Sequence, residues 1–114
     1  MRRKERLFLQ DTLQAIKNIE EFIGDMDFQE FCNDEKTKNA VVWQIHVIGE
    51  AAKNIPKSMR DKYHEIPWKY MARMRDKIAH FYFGIDYEIV WEVANKRLPE
   101  IKPLIEKILE EIGE

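Results

Sequence analysis

Apolar residues recur at three- and four-residue steps along most of this 114-residue chain. This spacing places them on one helix face and predicts amphipathic helices, the first over residues 3–24 and the second over 34–54. Pro56 is expected to end the second helix. Gly49 inside that helix costs about 1 kcal/mol relative to alanine, which indicates close approach of another helix. The apolar stripe of this helix is predicted to comprise Val41, Ile45, Ile48, Ala52 and Ile55.

The second half of the chain predicts two further long helices. Ile66-Pro67 suits the first turn of a third helix, which we expect to run to residue 79 or 80. Residues 83–85 form the predicted break, and Asp86 is expected to cap the last helix. Two prolines are expected to kink or restart that last helix, Pro99 and Pro103.

Short helical turns complete the predicted architecture. Asp27 and Glu30 have the spacing of a capping box, so a short helix is expected through Cys32, and further short turns are expected within 57–63. No stretch alternates apolar and polar residues as a half-buried strand does. The predicted fold is therefore all-α, a single domain over residues 1–114 that forms an up-and-down bundle of four main helices.

The composition, 45% hydrophobic and 35% charged, is typical of a folded chain and not of a disordered one. No apolar run approaches the roughly 18 residues that cross a membrane. The basic amino terminus is followed by an apolar run of Leu7 to Leu9, which is too short for a signal peptide. Cys32 is the single cysteine of the chain, so no disulfide can form within it. We expect a cytoplasmic protein.

The net charge is −2, but positive charge is concentrated in the middle of the chain. Residues 56–85 carry seven basic and three acidic side chains, a net charge of +4. This segment is a modest attractor for anions such as nucleic-acid phosphates. Three basic residues at four-residue steps share a predicted helix face that suits RNA contacts and an ordinary solvated surface equally well: Lys69, Arg73 and Lys77.

The densest set of polar side chains lies within residues 73–82. His80 suits phosphodiester cleavage in RNA, because imidazole titrates near neutral pH and can take the proton of an attacking 2′-hydroxyl. Arg75 can hold phosphate oxygens bidentately and stabilise the charge that develops on them. Asp76, four residues before His80, is placed to orient the imidazole or to favour its protonated form. Tyr82 adds a hydroxyl and an aromatic face, and this chemistry needs no metal or cofactor.

Arg75 and His80 do not converge on one regular helix. Five residues rotate by about 500°, which leaves the two side chains roughly 140° apart. Either the helix unwinds near His80, or two copies of the chain share one site across a two-fold interface. The second alternative predicts a homodimer.

Several motifs in register carry a resemblance to a known family. They are Ile66-Pro67-Trp68, Met74-Arg75-Asp76, the run from His80 to Asp86, Val90-Trp91 and Leu98-Pro99, together with much of residues 40–52. The chain resembles the HepT-like family of HEPN domains over nearly its whole length. Four residues match the family's Arg-x4-His-x-Tyr motif: Arg75, Asp76, His80 and Tyr82.

The resemblance implies a toxin that is a metal-independent endoribonuclease and works as a homodimer or a higher assembly. Arg75 and His80 would be its catalytic residues, supported by Asp76 and Tyr82. It also implies a partner, an antitoxin of the minimal nucleotidyltransferase type, that silences the toxin by adding AMP to Tyr82. A second interpretation stays open, in which the chain is a non-catalytic module. Such a module would bind the nucleotidyltransferase or a nucleotide and carry Tyr82 as a modification site alone.

Other candidate residues favour structural roles. His46 and Glu50 are one helical turn apart, but a di-metal bundle needs matching pairs from two helices, so no metal site is predicted. His64 is expected in a loop, and Cys32 is expected to be a buried or incidental thiol. Core or dimer packing, and not base stacking, is the expected role of four aromatic residues: Trp43, Trp68, Phe81 and Trp91.

Overall fold

The computed structural model describes residues 3–80 and 84–112, and at His80 it describes the backbone alone. The helices in chain order are α1 (Arg3–Ile23), α2 (Phe28–Cys32), α3 (Glu35–Lys53), α4 (Lys57–Lys62), α5 (Trp68–Ala72), α6 (Met74–Ile78), α7 (Tyr87–Glu92) and α8 (Leu98–Ile112). Two short strands, β1 (Ala79–His80) and β2 (Gly84–Ile85), lie between α6 and α7. This order confirms the predicted all-α bundle. No helix in the described ranges is both long and apolar enough to cross a membrane.

The helix α3 forms the centre of the bundle, in contact with α1 on one side and α5 on another. Asp34 caps its first turn by accepting a hydrogen bond from the Thr37 amide at 2.9 Å. Gly49 allows the close approach that was predicted, because a Cβ atom there would lie 3.4 Å from the carbonyl oxygen of Met71 on α5. The predicted apolar stripe is confirmed as core, since all its members are buried: Val41, Ile45, Ile48, Ala52 and Ile55.

The short helix α2 begins with the predicted capping box. The Glu30 amide donates to Asp27 Oδ1 at 2.8 Å, and the Asp27 amide donates to Glu30 Oε1 at 2.9 Å. Phe31 is fully buried, and its ring centroid lies 5.2 Å from that of Trp91 on α7. This contact fixes α2 against the second half of the chain. Cys32 is partly exposed and forms no disulfide.

The prediction of one continuous third helix is wrong, because two short helices, α5 and α6, take its place. Arg73 separates α5 from α6 because its backbone, with φ −102° and ψ 2°, departs from helical geometry. The helix then ends at Ile78 and not at residue 79 or 80. The carbonyl oxygen of Ile78 accepts a hydrogen bond from the amide of Asp86, eight residues later, at 2.6 Å, so a contact outside the helix replaces the next helical bond.

The prediction that the chain has no strand is wrong at the same place. The strands β1 and β2 pair antiparallel, with Ala79 opposite Ile85 and His80 opposite Gly84. Gly84 has φ +78°, a conformation that glycine adopts without the steric strain of other residues. Strands of two residues show no visible alternation of apolar and polar positions, which is why the sequence pattern does not reveal them.

The last helical region begins and restarts as predicted. Asp86 caps α7, its carboxylate accepting from two backbone amides of the first turn at 3.1 and 3.2 Å. A π-helical turn then ends where the Leu98 amide donates to the Val93 carbonyl. Proline lacks an amide hydrogen and its ring crowds the carbonyl four residues earlier, so this wider turn accommodates Pro99. Pro103 lies within α8, which continues past it.

Candidate active site

Arg75 lies on α6 with an exposed side chain, and α6 ends three residues later at Ile78. His80 therefore leaves the helix, and its backbone pairs with Gly84 in the short sheet. Of the two alternatives that helix rotation left open, the first is the one observed, because the helix unwinds before His80. The angle of roughly 140°, which holds for a regular helix, therefore does not apply to these two residues and gives no support to a dimer.

The one-turn helical spacing that was expected between Asp76 and His80 is not observed, and the supporting role of Asp76 stays a prediction. Asp76 is exposed on α6, but only two residues of α6 follow it, so the two residues are not one turn apart on a common helix. Tyr82, the predicted supporting and modification residue, lies outside the described residues, as does Phe81, which was expected to pack in the core or a dimer.

Arg75 lines an open groove of about 280 Å³ between α3 and the α6–β1–β2 segment, which we call the Arg75 groove. One wall belongs to α3 and is formed by Asn39, Val42, Trp43 and His46. The opposite wall is formed by Arg75, Ile78, Ala79 and Ile85. A guanidinium group at the rim of a largely apolar groove is well placed for an anionic group held close to the protein surface.

The tryptophans divide between core and surface. Trp68 is buried and its indole N–H donates to the Tyr63 carbonyl at 3.0 Å, while Trp91 packs on Phe31, so both confirm the core prediction. Trp43 is 60% exposed, and its ring centroid lies 5.3 Å from that of His46. The core alternative is therefore wrong for Trp43. The sequence pattern misses this exposure because α3 has apolar residues on more than one face.

The three basic residues that were predicted to share one face do not all do so. Lys69 and Arg73 line a second groove of about 660 Å³ between α3, α4 and α5. Lys77 lies elsewhere, with its Nζ 5.5 Å from the ring centroid of Tyr70. The shared face therefore does not extend to Lys77, and the break at Arg73 separates its helix, α6, from α5.

The second groove contains basic residues that were not among the predicted candidates. We call it the basic groove, and its basic side chains are Lys53, Lys57, Arg60, His64, Lys69 and Arg73. His64 is exposed in the turn between α4 and α5, which confirms its loop position. The net charge of +4 over residues 56–85 was the sequence signal that could have identified this cluster.

Tyr70 on α5 lies next to a charged network formed by Glu92, Arg97 and Glu100. Burial raises the pKa of the Tyr70 phenol, and the hydrogen bond and charge of the Arg97 guanidinium oppose that rise. Arg97 also pairs with Glu92 at 3.3 Å and with Glu100 at 3.6 Å.

The two α3 residues considered as metal ligands have separate contacts. The His46 ring packs on Trp43, whereas Glu50 Oε2 lies 3.4 Å from Lys53 Nζ. Across 3–80 and 84–112, no three His, Cys, Asp or Glu side chains gather within reach of one metal ion.

A family model and individual relatives both identify the family of this chain. Residues 12–108 match the family model described as "Ribonuclease HepT-like". Two proteins of Methanocaldococcus jannaschii, both named "Putative RNase", are 48% identical. One alignment covers 99% of this chain and 97% of the relative, and the other covers 94% and 88%. A protein of Thermococcus cleftensis named "Probable ribonuclease HepT" is 43% identical over 95% of this chain and 98% of the relative. No solved structure matches the chain.

Proposed function

Because this chain belongs to the ribonuclease HepT-like family, we propose that it is an endoribonuclease of the HEPN type and the toxin of a toxin–antitoxin pair. The exposed position of Arg75 is the main structural support for this proposal. Its side chain is exposed in a groove beside the strand that carries His80, and it makes no ion pair with any described residue. A guanidinium group that no carboxylate neutralises is available to a substrate phosphate.

The proposed reaction uses the 2′-hydroxyl of RNA as the nucleophile. The His80 imidazole takes the hydroxyl proton, the 2′-oxygen forms a bond to phosphorus, and the bond from phosphorus to the 5′-oxygen breaks. The products are a 2′,3′-cyclic phosphate and a 5′-hydroxyl, which receives a proton. Arg75 stabilises the negative charge that grows on the phosphate oxygens. No metal ion or cofactor is required.

We place this site in the cleft of a homodimer. Trp43, exposed beside Arg75, would be costly to leave in water, because burying a large apolar side chain stabilises by about 1.5–3 kcal/mol. A two-fold interface on this face would cover Val42, Trp43 and Ile85 and bring both copies of Arg75 to one cleft.

The proposed partner is an antitoxin of the minimal nucleotidyltransferase type that adds AMP to Tyr82. The family resemblance supports this pairing, and so does the position of Tyr82, two residues after His80 in the sequence. The AMP phosphate would add negative charge beside the motif and compete with RNA phosphate for Arg75.

A cleavage assay in the presence of chelator tests the proposal. The purified chain is incubated with end-labelled single-stranded RNA in EDTA, and the products are analysed for a 2′,3′-cyclic phosphate. Loss of a general acid–base residue commonly lowers the reaction rate about 10²–10⁴-fold. The cleavage rate of His80→Ala should therefore fall by that factor, and that of Arg75→Ala should fall similarly. Arg75→Lys should also be impaired, since lysine keeps the charge and loses the bidentate geometry.

Lys96→Ala is the matched control, because Lys96 is exposed and lies in neither groove; it should cleave as the wild type does. Activity that disappears with chelator and returns with magnesium would contradict metal independence. A wild-type dimer that cleaves no RNA would overturn the nuclease proposal and favour the non-catalytic module.

A further inference from the structure

We propose that the basic groove binds the phosphate backbone of the RNA strand that is cleaved at the Arg75 groove. This inference rests on the proposed ribonuclease function and extends it, because it assigns a substrate-holding surface outside the motif residues. The surface is lined by the end of α3, by α4 and by α5.

The charge of the groove is the first support. Five Lys and Arg side chains line it against one carboxylate, that of Asp61. Asp61 pairs with Lys57 at 2.8 Å, and Glu50, outside the groove, pairs with Lys53 at 3.4 Å. The remaining three cations make no ion pair within residues 3–80 and 84–112: Arg60, Lys69 and Arg73. Their charge is therefore available to an external anion.

The shape of the groove is the second support. Its floor is apolar and fixed, since Ala52, Ile66 and Trp68 are buried in the core. The indole N–H of Trp68 is bonded to the Tyr63 carbonyl, which holds the start of α5 in place. The cations thus project from packed helices, so little backbone ordering is needed when a ligand binds.

The path between the two grooves is the third support. On α3, His46 of the Arg75 groove and Lys53 of the basic groove are seven residues apart, two helical turns on nearly the same face. That spacing is about 10 Å along the helix axis. On the opposite side, Arg73 and Arg75 are two residues apart across the junction of α5 and α6. One extended polyanion can therefore contact both grooves.

These features favour RNA over an acidic protein as the occupant. Protein interfaces are centred on buried aromatic or aliphatic anchors, and three large hydrophobic side chains are exposed in the described part of the chain: Leu7, Phe28 and Trp43. None of the three lines the basic groove. A cluster of Lys and Arg side chains on one surface is typical of contacts to nucleic-acid phosphates, which need no apolar anchor.

The test measures RNA binding separately from cleavage. Binding of a fluorescein-labelled single-stranded RNA of about 20 nucleotides, longer than the sites that single domains cover, is followed by anisotropy over a salt series. The protein is the His80→Ala chain, with and without Arg60→Gln, Lys69→Gln and Arg73→Gln together. Each phosphate contact contributes about 0.7 to the salt slope for single strands. The groove variant should therefore lose about 2 from the slope and bind roughly 10- to 100-fold more weakly at physiological salt.

Three exposed lysines outside the groove give a charge-matched control, Lys17→Gln, Lys96→Gln and Lys107→Gln together. This control should bind RNA as tightly as the His80→Ala chain without further substitutions. The groove variant should keep the melting temperature of that chain, which shows that it is folded. In a chain that retains His80, the groove substitutions should reduce cleavage of the long RNA and leave cleavage of a dinucleotide unchanged.

Equal losses in the groove variant and the charge-matched control would overturn the inference, because net charge alone would then explain the binding. An equal loss of dinucleotide and long-RNA cleavage would also overturn it. Unchanged RNA binding, with loss of binding to a co-expressed nucleotidyltransferase, would make the groove a protein-docking surface instead. If the wild type binds RNA through the groove and never cleaves it, the groove assignment stands and the nuclease proposal fails.

Discussion

Trp43 on α3 and Arg75 on α6 line opposite walls of one groove. The first is a large, exposed apolar side chain, and the second is a cation with no ion pair among the described residues. An interface that buries the indole would bring a second chain next to the guanidinium. Dimer formation and RNA cleavage should therefore depend on the same surface.

We expect Trp43→Glu to dissociate the proposed dimer and to lower cleavage together. The substitution removes apolar area worth about 1.5–3 kcal/mol in each protomer and places two like charges near the two-fold axis. Light scattering at micromolar concentration should show a dimer for the wild type and a monomer for the variant.

The control for this substitution is Leu7→Glu, since Leu7 is 46% exposed on α1 and does not line the Arg75 groove. It should remain dimeric and active. A wild type that is monomeric at these concentrations, or a dimeric Trp43→Glu, would be incompatible with the proposed interface.

Tyr82 should be the modification site of the proposed antitoxin. Co-expression of the chain with a minimal nucleotidyltransferase encoded next to its gene, followed by intact-mass spectrometry, should show a gain of one or more AMP masses. Tyr82→Phe should show no gain, because it lacks the hydroxyl that accepts the nucleotide. Equal labelling of Tyr82→Phe would show that a different residue is modified. An unmodified wild type would contradict the proposed pairing.

Gly49 should tolerate alanine and reject larger side chains. A Cβ atom there lies at the edge of ordinary contact, 3.4 Å from the Met71 carbonyl oxygen, so the gain in helix propensity of about 1 kcal/mol offsets a small steric cost. Gly49→Val should destabilise by about 1–3 kcal/mol, because the added methyl groups push α5 from α3. Urea unfolding measures both effects.

Ala40→Val is the control for the β-branched side chain, as Ala40 is partly exposed on the same helix. It should cost less than about 1 kcal/mol. An equal loss at positions 40 and 49 would show that helix propensity, and not the approach of α5, limits residue 49.

Tyr70 should make stability sensitive to alkaline pH. Because burial raises its pKa in the folded state, the stability that this shift gives is complete below the unfolded pKa of about 10. It is lost as the pH rises through the higher folded value. Tyr70→Phe cannot ionise, so its melting temperature should fall less than that of the wild type between about pH 8 and 11.

The difference in melting temperature between wild type and variant at neutral pH gives the baseline for this comparison, since Tyr70 is uncharged there and only the loss of its hydroxyl counts. Melting temperatures of wild type and variant that run parallel over the whole alkaline range would contradict the role of Tyr70.

The sequence by itself determined the elements that local physics controls. The spacing of apolar residues predicted α1 and α3, and the Asp27–Glu30 capping box and the Asp86 cap predicted where α2 and α7 begin. These features depend on contacts within about one helical turn, which is the range that a sequence pattern reports. The density of polar side chains and the resemblance to the HepT-like family, and not the apolar spacing, pointed to the Arg75–His80 segment, whose motif residues are close together in the chain.

Only the tertiary structure decided how that segment is arranged. The helix ends at Ile78 because the amide of Asp86, eight residues later and outside the helix, bonds to its carbonyl oxygen, and β1 exists only through its pairing with β2. Trp43 is exposed because no described element covers that face of α3. Likewise, Lys69 and Arg73 line a groove with residues of α4 whereas Lys77 does not, and a break at Arg73 separates α5 from α6. These outcomes depend on contacts beyond one helical turn, from the pairing of residues 78–80 with 84–86 to the packing of α4 and α5 against α3. A periodic pattern of apolar residues does not report such contacts.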